Sequence, residues 1–438
     1  MAEDRMQKIV EKIFRKHTHS QAEVKKIFTQ IKRFSAILQK ELENEKIAAD
    51  VFHGGSSAKG TFLKGNFDVD LFVRFDYSRY KNFSSKLSDI LHLAVERATN
   101  NNFERIHGSR DYFQHKYKHV YPINFEIVPV LKIDKPSDAK NVTDCSPLHV
   151  LWLKERMTRQ KDLVKQSVAA KIFMKAIKTY GAESYIKGFS GHVLDILVSH
   201  FGSFERLLVD SHTWENHHVI DVENHYEDKD QAIKHLAESK LSPLIVIDPI
   251  QPERNAAAAL SKEKLELFRR KAKEVLVNPK MSFFTLPRFS LTALKRENVP
   301  HCDKAILKIS PKETKRDIAG SKLLKFYERL LSYLKRNGFD VFDSGWDWPN
   351  KDAYIWLYVT KNSISFVRKN PDVVREGPPK QRKEDVKRFK EKHSSCFWHQ
   401  GKIYAKVPRK FVSYRDIIHK TIKEESDKGN IVYAKIIS

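Results

Sequence analysis

Asp68 and Asp70 stand two residues apart in Phe67-Asp68-Val69-Asp70-Leu71-Phe72, a run that stays apolar to Phe75 except at Arg74. Side chains two apart on a strand point to one face, so both carboxylates aim together. Two such anions repel and lose hydration, a cost that a divalent cation or a hydrogen-bond network must offset. Magnesium suits the pair. It takes carboxylate and phosphate oxygens, and two ions hold the attacking and leaving oxygens of a phosphoryl displacement. Upstream, Gly55-Ser56 offers a turn whose backbone amides and hydroxyl suit the β,γ-phosphates of a nucleoside triphosphate, with eleven residues between Ser56 and Asp68. The same residues also describe a Gly-Ser hairpin leading into an edge strand with solvent-facing acids.

A Gly-Ser followed by an acid-apolar-acid strand resembles the signature of the polymerase-beta-like nucleotidyltransferases. That resemblance implies a third acid on a neighbouring strand. Glu126, in the apolar run Ile123-Asn124-Phe125-Glu126-Ile127-Val128-Pro129, is the one carboxylate between Asp111 and Asp134 and fills the place. The superfamily usually has Asp there, so the longer side chain implies a slightly retracted strand or altered metal geometry. An edge-strand glutamate facing water is the alternative.

Further blocks narrow the resemblance. Ser146-Pro147-Leu148-His149, Tyr180-Gly181-Ala182-Glu183, Lys187-Gly188-Phe189-Ser190-Gly191, Phe201-Gly202-Ser203-Phe204, Asp248-Pro249 and Arg254-Asn255-Ala256-Ala257 follow in that order. Together they resemble the archaeal (class I) CCA-adding enzymes from about residue 50 to 260, and more loosely to the C-terminus. The resemblance implies a tRNA nucleotidyltransferase that adds or repairs the 3′-terminal CCA from CTP and ATP, without a nucleic-acid template, releasing pyrophosphate. It implies that Asp68 and Asp70 bridge two magnesium ions and that Glu126 holds the catalytic one. Gly55, Ser56, Lys59, His149, Lys171 and Tyr180 would receive triphosphate and ribose, and Arg254 would select the base. Lys59 stands where the family more often has Arg, a point charge in place of a fork. Without the resemblance, His149 and Arg254 read as helix-start residues and Tyr180 as a helix-end packing residue.

Composition agrees with a polyanionic partner. Eighty Lys and Arg against 55 Asp and Glu, a formal net charge of +25 over 438 residues, create a broad positive field. An anionic membrane surface could use that charge, but no apolar run approaches roughly eighteen residues. The N-terminus shows no apolar core or cleavage site of a signal peptide. Three cysteines, Cys145, Cys302 and Cys396, lie too far apart for a zinc knuckle and cannot pair off completely, which fits a reducing cytoplasm. A homodimer is left open.

The elements that must position these residues follow from periodicity. Apolar residues at three- and four-residue intervals from Ile9 to Leu42 predict a helix pair ahead of the catalytic strands. A helix over about 84–99, N-capped by Ser84, separates the acid pair from strands spanning Tyr117 to Ile133. From Pro147 to about Phe204 the pattern is helical. Within it a helix from Leu163 to Thr179 sets Lys171, Lys175 and Lys178 within about 60° of each other, a stripe that reaches a triphosphate or is simply a solvated face. Short β-rich runs such as Ala353 to Val359 and Ile403 to Val407 alternate with helices to the end. Arg375 to His393 is a basic, helix-like tract. Within it Arg382, Lys383, Lys387, Arg388 and Lys390 would bind RNA backbone by charge, or form a solvated helix face. His217 and His218 are adjacent and diverge, which argues against zinc and for a solvated or RNA-facing role.

The expected architecture is α+β and multidomain: a nucleotidyltransferase palm with N-terminal helices at 1–140, a largely helical nucleotide-binding domain at 141–260, and an α+β tRNA-binding region at 261–438. Two alternatives share parts of this reading. One is another RNA 3′-nucleotidyltransferase, such as a poly(A) polymerase or an oligoadenylate-type synthase. The other is an inactive RNA-binding relative.

Overall fold

The structure, a computed structural model, describes residues 2–65, 67–117, 119–312, 316–370, 372–408 and 410–437. It divides into two compact units, Met1–Pro287 and Arg288–Ser438.

The first unit opens with the expected helix pair, α1 (Ala2–His17) and α2 (Gln21–Asn44). A capping box starts α2: Glu23 N donates to Ser20 Oγ at 3.3 Å, and Ser20 N donates to Glu23 Oε2 at 2.8 Å. The pair divides between two cores. Met6, Ile9, Val10 and Ile13 of α1 pack among helices that include Leu163–Ala176 and Gly191–Phe201. Ile27, Ile31, Phe34, Leu38 and Leu42 of α2 instead cover a five-stranded sheet.

That sheet has the order β1 (Ala49–His53), β2 (Phe67–Phe75), β5 (Ile123–Leu131), β4 (Tyr112–Tyr117), β3 (Glu104–Ile106). Only β2 and β5 run parallel. A parallel neighbour needs a crossover, and the Leu87–Ala98 helix supplies it. This helix is shorter than periodicity predicts. Ser84 falls in a preceding 3₁₀ turn, where its hydroxyl accepts from Arg110 Nη2 at 2.6 Å and caps nothing. Val69, Leu71, Val73, Phe113, Phe125 and Ile127 point into the α2 side of the sheet and are fully buried. Alternation therefore turns residues 68, 70, 114, 124 and 126 to the opposite face. β2 and β5 are both interior strands, so the edge-strand alternatives for their acids do not hold.

In the second unit four antiparallel strands, ordered Ile431–Ile436, Cys302–Pro311, Ala353–Thr360, Val341–Asp347, share a core with the helices Arg316–Arg336 and Tyr414–Asp427. A three-stranded sheet of Asp372–Pro379, Lys402–Pro408 and Cys396–His399 carries the Lys383–Lys392 helix. The expected basic helix thus begins at Lys383; Arg375 to Pro379 belong to a strand paired with Lys402–Pro408.

Candidate active site

Parallel pairing of β2 with β5 sets Asp68 beside Asn124 and Asp70 beside Glu126. Asn124 Nδ2 donates to Asp68 Oδ1 at 2.7 Å, and Gln114 Nε2, on β4 opposite Glu126, donates to Glu126 Oε1 at 2.8 Å. Burial pushes the Asp70 carboxyl up, and the neighbouring Asp68 charge adds to it. Glu126 is pushed up to about 7 by burial and then by Asp70, against the Gln114 hydrogen bond. The Tyr112 hydroxyl is also raised, by burial and by all three acids. The three carboxylates thus share one electrostatic neighbourhood, with a strong demand for positive charge. Asn124 Oδ1 is buried without a hydrogen-bond partner among the described residues, an acceptor left over at the same place.

The raised Glu126 has a consequence for stability. The folded protein keeps the Glu126 proton where the unfolded chain, near its ordinary 4.5, has released it. Stability therefore falls as pH rises from about 4.5 through 7. Glu126→Gln, which cannot titrate, is expected to gain melting temperature relative to the unmutated metal-free protein between pH 5 and 8. A difference that stays flat across that range would contradict a Glu126 crowded by Asp70.

The Gly-Ser turn is built against the acids. Gly54 N donates to the Asp70 carbonyl at 2.8 Å. Gly55 has φ +64°, and a Cβ there would lie 1.7 Å from Asp70 Oδ2. Only glycine tolerates both conditions. Gly55–Ala58 forms one short helical turn, and Thr61 N donates to the Ser56 carbonyl at 3.0 Å. Behind it the buried Ser57 hydroxyl bonds His53 Nε2 at 2.8 Å. Burial lowers His53 to about 4, so this imidazole is neutral at pH 7.

Lys59, Lys171 and Tyr180 gather around a residue that sequence reasoning did not single out. Lys59 Nζ is ion-paired with the buried Asp195 of the Gly191–Phe201 helix. Lys171 Nζ donates to the Thr61 carbonyl at 2.9 Å and is lowered to about 8, chiefly by burial, with Asp195 opposing. The Tyr180 phenol is held far above its ordinary range by burial and then by Asp195, so it keeps its proton. Lys175 Nζ stands 4.8 Å over the Tyr180 ring. The predicted lysine stripe is not formed. The Leu163–Ala176 helix is buried from Gln166 to Met174, with Lys171 among its buried residues, and Lys178 lies beyond its end with φ +57°.

His149 and Arg254 meet on Asp248, a fully buried carboxylate whose Asp248-Pro249 block stands among those that carry the resemblance but to which the sequence alone assigns no role. Asp248 Oδ1 accepts from His149 Nε2 at 2.8 Å and from the Ile250 and Gln251 amides at 3.0 and 3.1 Å. Its Oδ2 faces His192 Nε2 at 3.2 Å and accepts from Arg254 Nη1 at 2.6 Å. Burial raises Asp248, yet the two imidazoles outweigh burial and hold it well below the usual carboxylate range. His149, His192 and Asp248 lie close enough to chelate a metal. With a guanidinium and two amides also on the carboxylate, its acceptor sites are filled, and the group is a hydrogen-bond hub. Arg254 sits in a turn, not at a helix start.

In the second unit the Lys383–Lys392 helix has no buried residue, and Lys390 Nζ lies 6.0 Å from the Trp398 ring. A cleft of about 1240 Å³ in the same unit is lined by Lys335, Arg336, Arg375, Lys406, Lys410 and Lys420, with Asp372 and Glu376 the acids. Its cations come from several separate elements, so no sequence run announces it. Among the described residues no helix is long and apolar enough to cross a membrane.

Comparison with known proteins places the whole chain in a family. Residues 31–149 match the nucleotidyltransferase domain, 166–285 the second domain of tRNA nucleotidyltransferase, and 307–437 the C-terminal domain of CCA-adding enzyme. The CCA-adding enzyme of Nanoarchaeum equitans is 34% identical over 377 residues, covering 85% of this chain and 87% of its own. The chain belongs to the CCA-adding enzyme family. That of Methanocaldococcus jannaschii is 30% identical, over 88% of this chain and 84% of its own. A solved cytoplasmic RNA terminal U-transferase, 14% identical, superposes with a TM-score of 0.51 over 66% of this chain and 99% of its own, and so shares the fold. As a CCA-adding enzyme the protein is a tRNA nucleotidyltransferase, an α+β multidomain chain built on a nucleotidyltransferase palm.

Proposed function

We propose that Asp68, Asp70 and Glu126 hold two magnesium ions and that Gly55, Ser56, Lys59, His149, Lys171, Tyr180 and Arg254 receive CTP or ATP. The observation that carries this reading is the register of β2 on β5, which sets Asp70 beside Glu126 on the Asp68 face, with the Gly55 turn packed on Asp70. The donor set is all oxygen, and a spare buried carbonyl stands next to Asp68, which fits a hydrated hard cation. Magnesium, when bound, neutralises charge that develops on the transferred phosphoryl group. In the reaction the tRNA 3′-oxygen bonds to the α-phosphorus as the bond to the departing pyrophosphate breaks. Gly55 keeps a backbone surface against Asp70 that no other residue could. The neutral Tyr180 hydroxyl and Lys171 offer donors to triphosphate and ribose, and Lys59 exchanges Asp195 for phosphate. Arg254 reads the base with donors in a fixed geometry. The palm (1–140) supplies the acids, the central region (141–260) the nucleotide contacts, and the C-terminal region (261–438) the grip on tRNA, in the cytoplasm.

The test is purified protein with a tRNA lacking CCA, magnesium, and labelled CTP and ATP, with products sized on a gel. Addition that stops after three nucleotides and requires CTP is expected. Long tracts from ATP alone would instead support a poly(A)-type polymerase.

Asp248 gives the nucleotide pocket a separate test. Asp248→Asn keeps the size of the hub and removes its charge, so His149 and Arg254 lose their shared anchor. Losing charged hydrogen bonds of this kind should raise KM for both nucleotides roughly tenfold to a hundredfold. The ratio of CTP to UTP incorporated at the first position should fall with it. Unchanged ratios would separate Arg254 from base selection.

For tRNA, Arg382, Lys383, Lys387, Arg388 and Lys390 are proposed to bind phosphates. Replacing Lys383, Lys387 and Lys390 with Ala is expected to weaken several tRNAs by similar factors. The slope of log affinity against log salt should become shallower by about two to three, one phosphate per lysine. If affinity and slope are both unchanged, the exposed helix is only a solvated face and the cleft lined by Lys335 and Lys406 carries the grip.

A further inference from the structure

We propose that Gln114 is the positioning residue that makes Glu126 usable as the third carboxylate. The proposal rests on the metal-site reading above and adds a residue to it. Glu126 must present an oxygen to the space shared with Asp68 and Asp70, yet its side chain has one more rotatable bond than either aspartate. An untethered glutamate on this face would sample several rotamers and lose that freedom on binding a cation. Gln114 removes the problem beforehand. It lies directly across the β4–β5 ladder from Glu126, and its Nε2 donates to Oε1 at 2.8 Å, while Oε2 has no hydrogen bond among the described residues.

The type of donor matters as much as its place. A lysine or arginine at 114 would hold the carboxylate equally well, but its charge would neutralise the anion and compete with a metal. A carboxamide orients without adding charge. Its backbone is also well fixed. β4 is hydrogen-bonded on both sides, and the flanking Phe113 and His115 are buried under the opposite face. Outer-shell partners of this kind typically govern metal affinity by about ten- to a hundredfold.

The geometry makes a non-additive prediction. Glu126→Asp shortens the reach by one carbon–carbon bond, about 1.5 Å, which takes the carboxylate away from the Gln114 amide. Gln114 should then matter with Glu at 126 and not with Asp. Mn2+ alone is titrated into the full-length protein without nucleotide, and free Mn2+ is read from its paramagnetic resonance signal. Gln114→Met, which keeps length and apolar packing, and Gln114→Ala should each weaken Mn2+ binding about tenfold. In the Glu126→Asp background the same changes should move it less than about twofold. In CCA addition the Gln114 variants should lose kcat with little change in KM for CTP. Wild-type Mn2+ affinity in Gln114→Met would overturn the proposal, as would an equal loss in both backgrounds, the mark of a merely structural role. Asp70→Ala is the control: if it too binds Mn2+ like wild type, the metal-site reading itself fails, a result distinct from failure at Gln114 alone.

Discussion

Asp70→Ala, and likewise Asp68→Ala, is expected to abolish incorporation of CTP and ATP while leaving tRNA affinity nearly intact. A lost metal ligand removes stabilisation of charge in the transition state and not the basic surface that holds RNA. Loss of a thousandfold or more, about 4 kcal/mol of barrier, is the scale. Stability should move the other way at Asp70. Burial and Asp68 both disfavour the ionised Asp70 carboxyl, so the metal-free alanine variant should melt no lower than wild type near pH 7. Single-turnover extension of a tRNA lacking CCA, a filter-binding assay and a thermal melt read the three quantities. A variant that keeps more than about a tenth of the rate would remove Asp68 and Asp70 from the reaction.

Gly55→Ala is expected to cost at least a hundredfold in rate, an effect out of proportion to one methyl group. The residue has φ +64°, and the added Cβ would fall 1.7 Å from Asp70 Oδ2. Either the turn or the carboxylate must move, and a displacement of about 1 Å at reacting groups is worth about a hundredfold. Gly65 is the control. It too has positive φ, at +108°, but a Cβ there meets nothing within 4 Å. Gly65→Ala should share the backbone strain and not the loss of chemistry. Equal losses at both positions would mean that strain alone, and not the contact with Asp70, makes Gly55 necessary.

Much of the site was legible because its logic is local. Asp68 and Asp70 share a face by the two-residue period of a strand, and β2 spans the expected Phe67 to Phe75. The helix pair followed from three- and four-residue spacing, and the strands at Ala353 and Ile403 from β-rich runs. Local reasoning erred where a tertiary neighbour took over a residue. Ser84 had the right chemistry for a helix cap, but Arg110 claims its hydroxyl. The spacing of Lys171, Lys175 and Lys178 predicts a stripe on one helix face, but the helix carrying Lys171 is enclosed by α1 and by the Gly191–Phe201 helix and ends before Lys178.

The sequence by itself determined the pair of aspartates, the glycine turn before them, the basic charge and the element types, all properties written within a few residues or in composition. The tertiary structure alone decided which groups complete the site. Gln114 and Asn124 reach the acids across strand ladders, Asp195 meets Lys59 from 136 residues away, and Asp248 gathers His149, His192 and Arg254. Such partners are set by register and helix packing, which depend on the whole buried pattern at once, so no local period announces them.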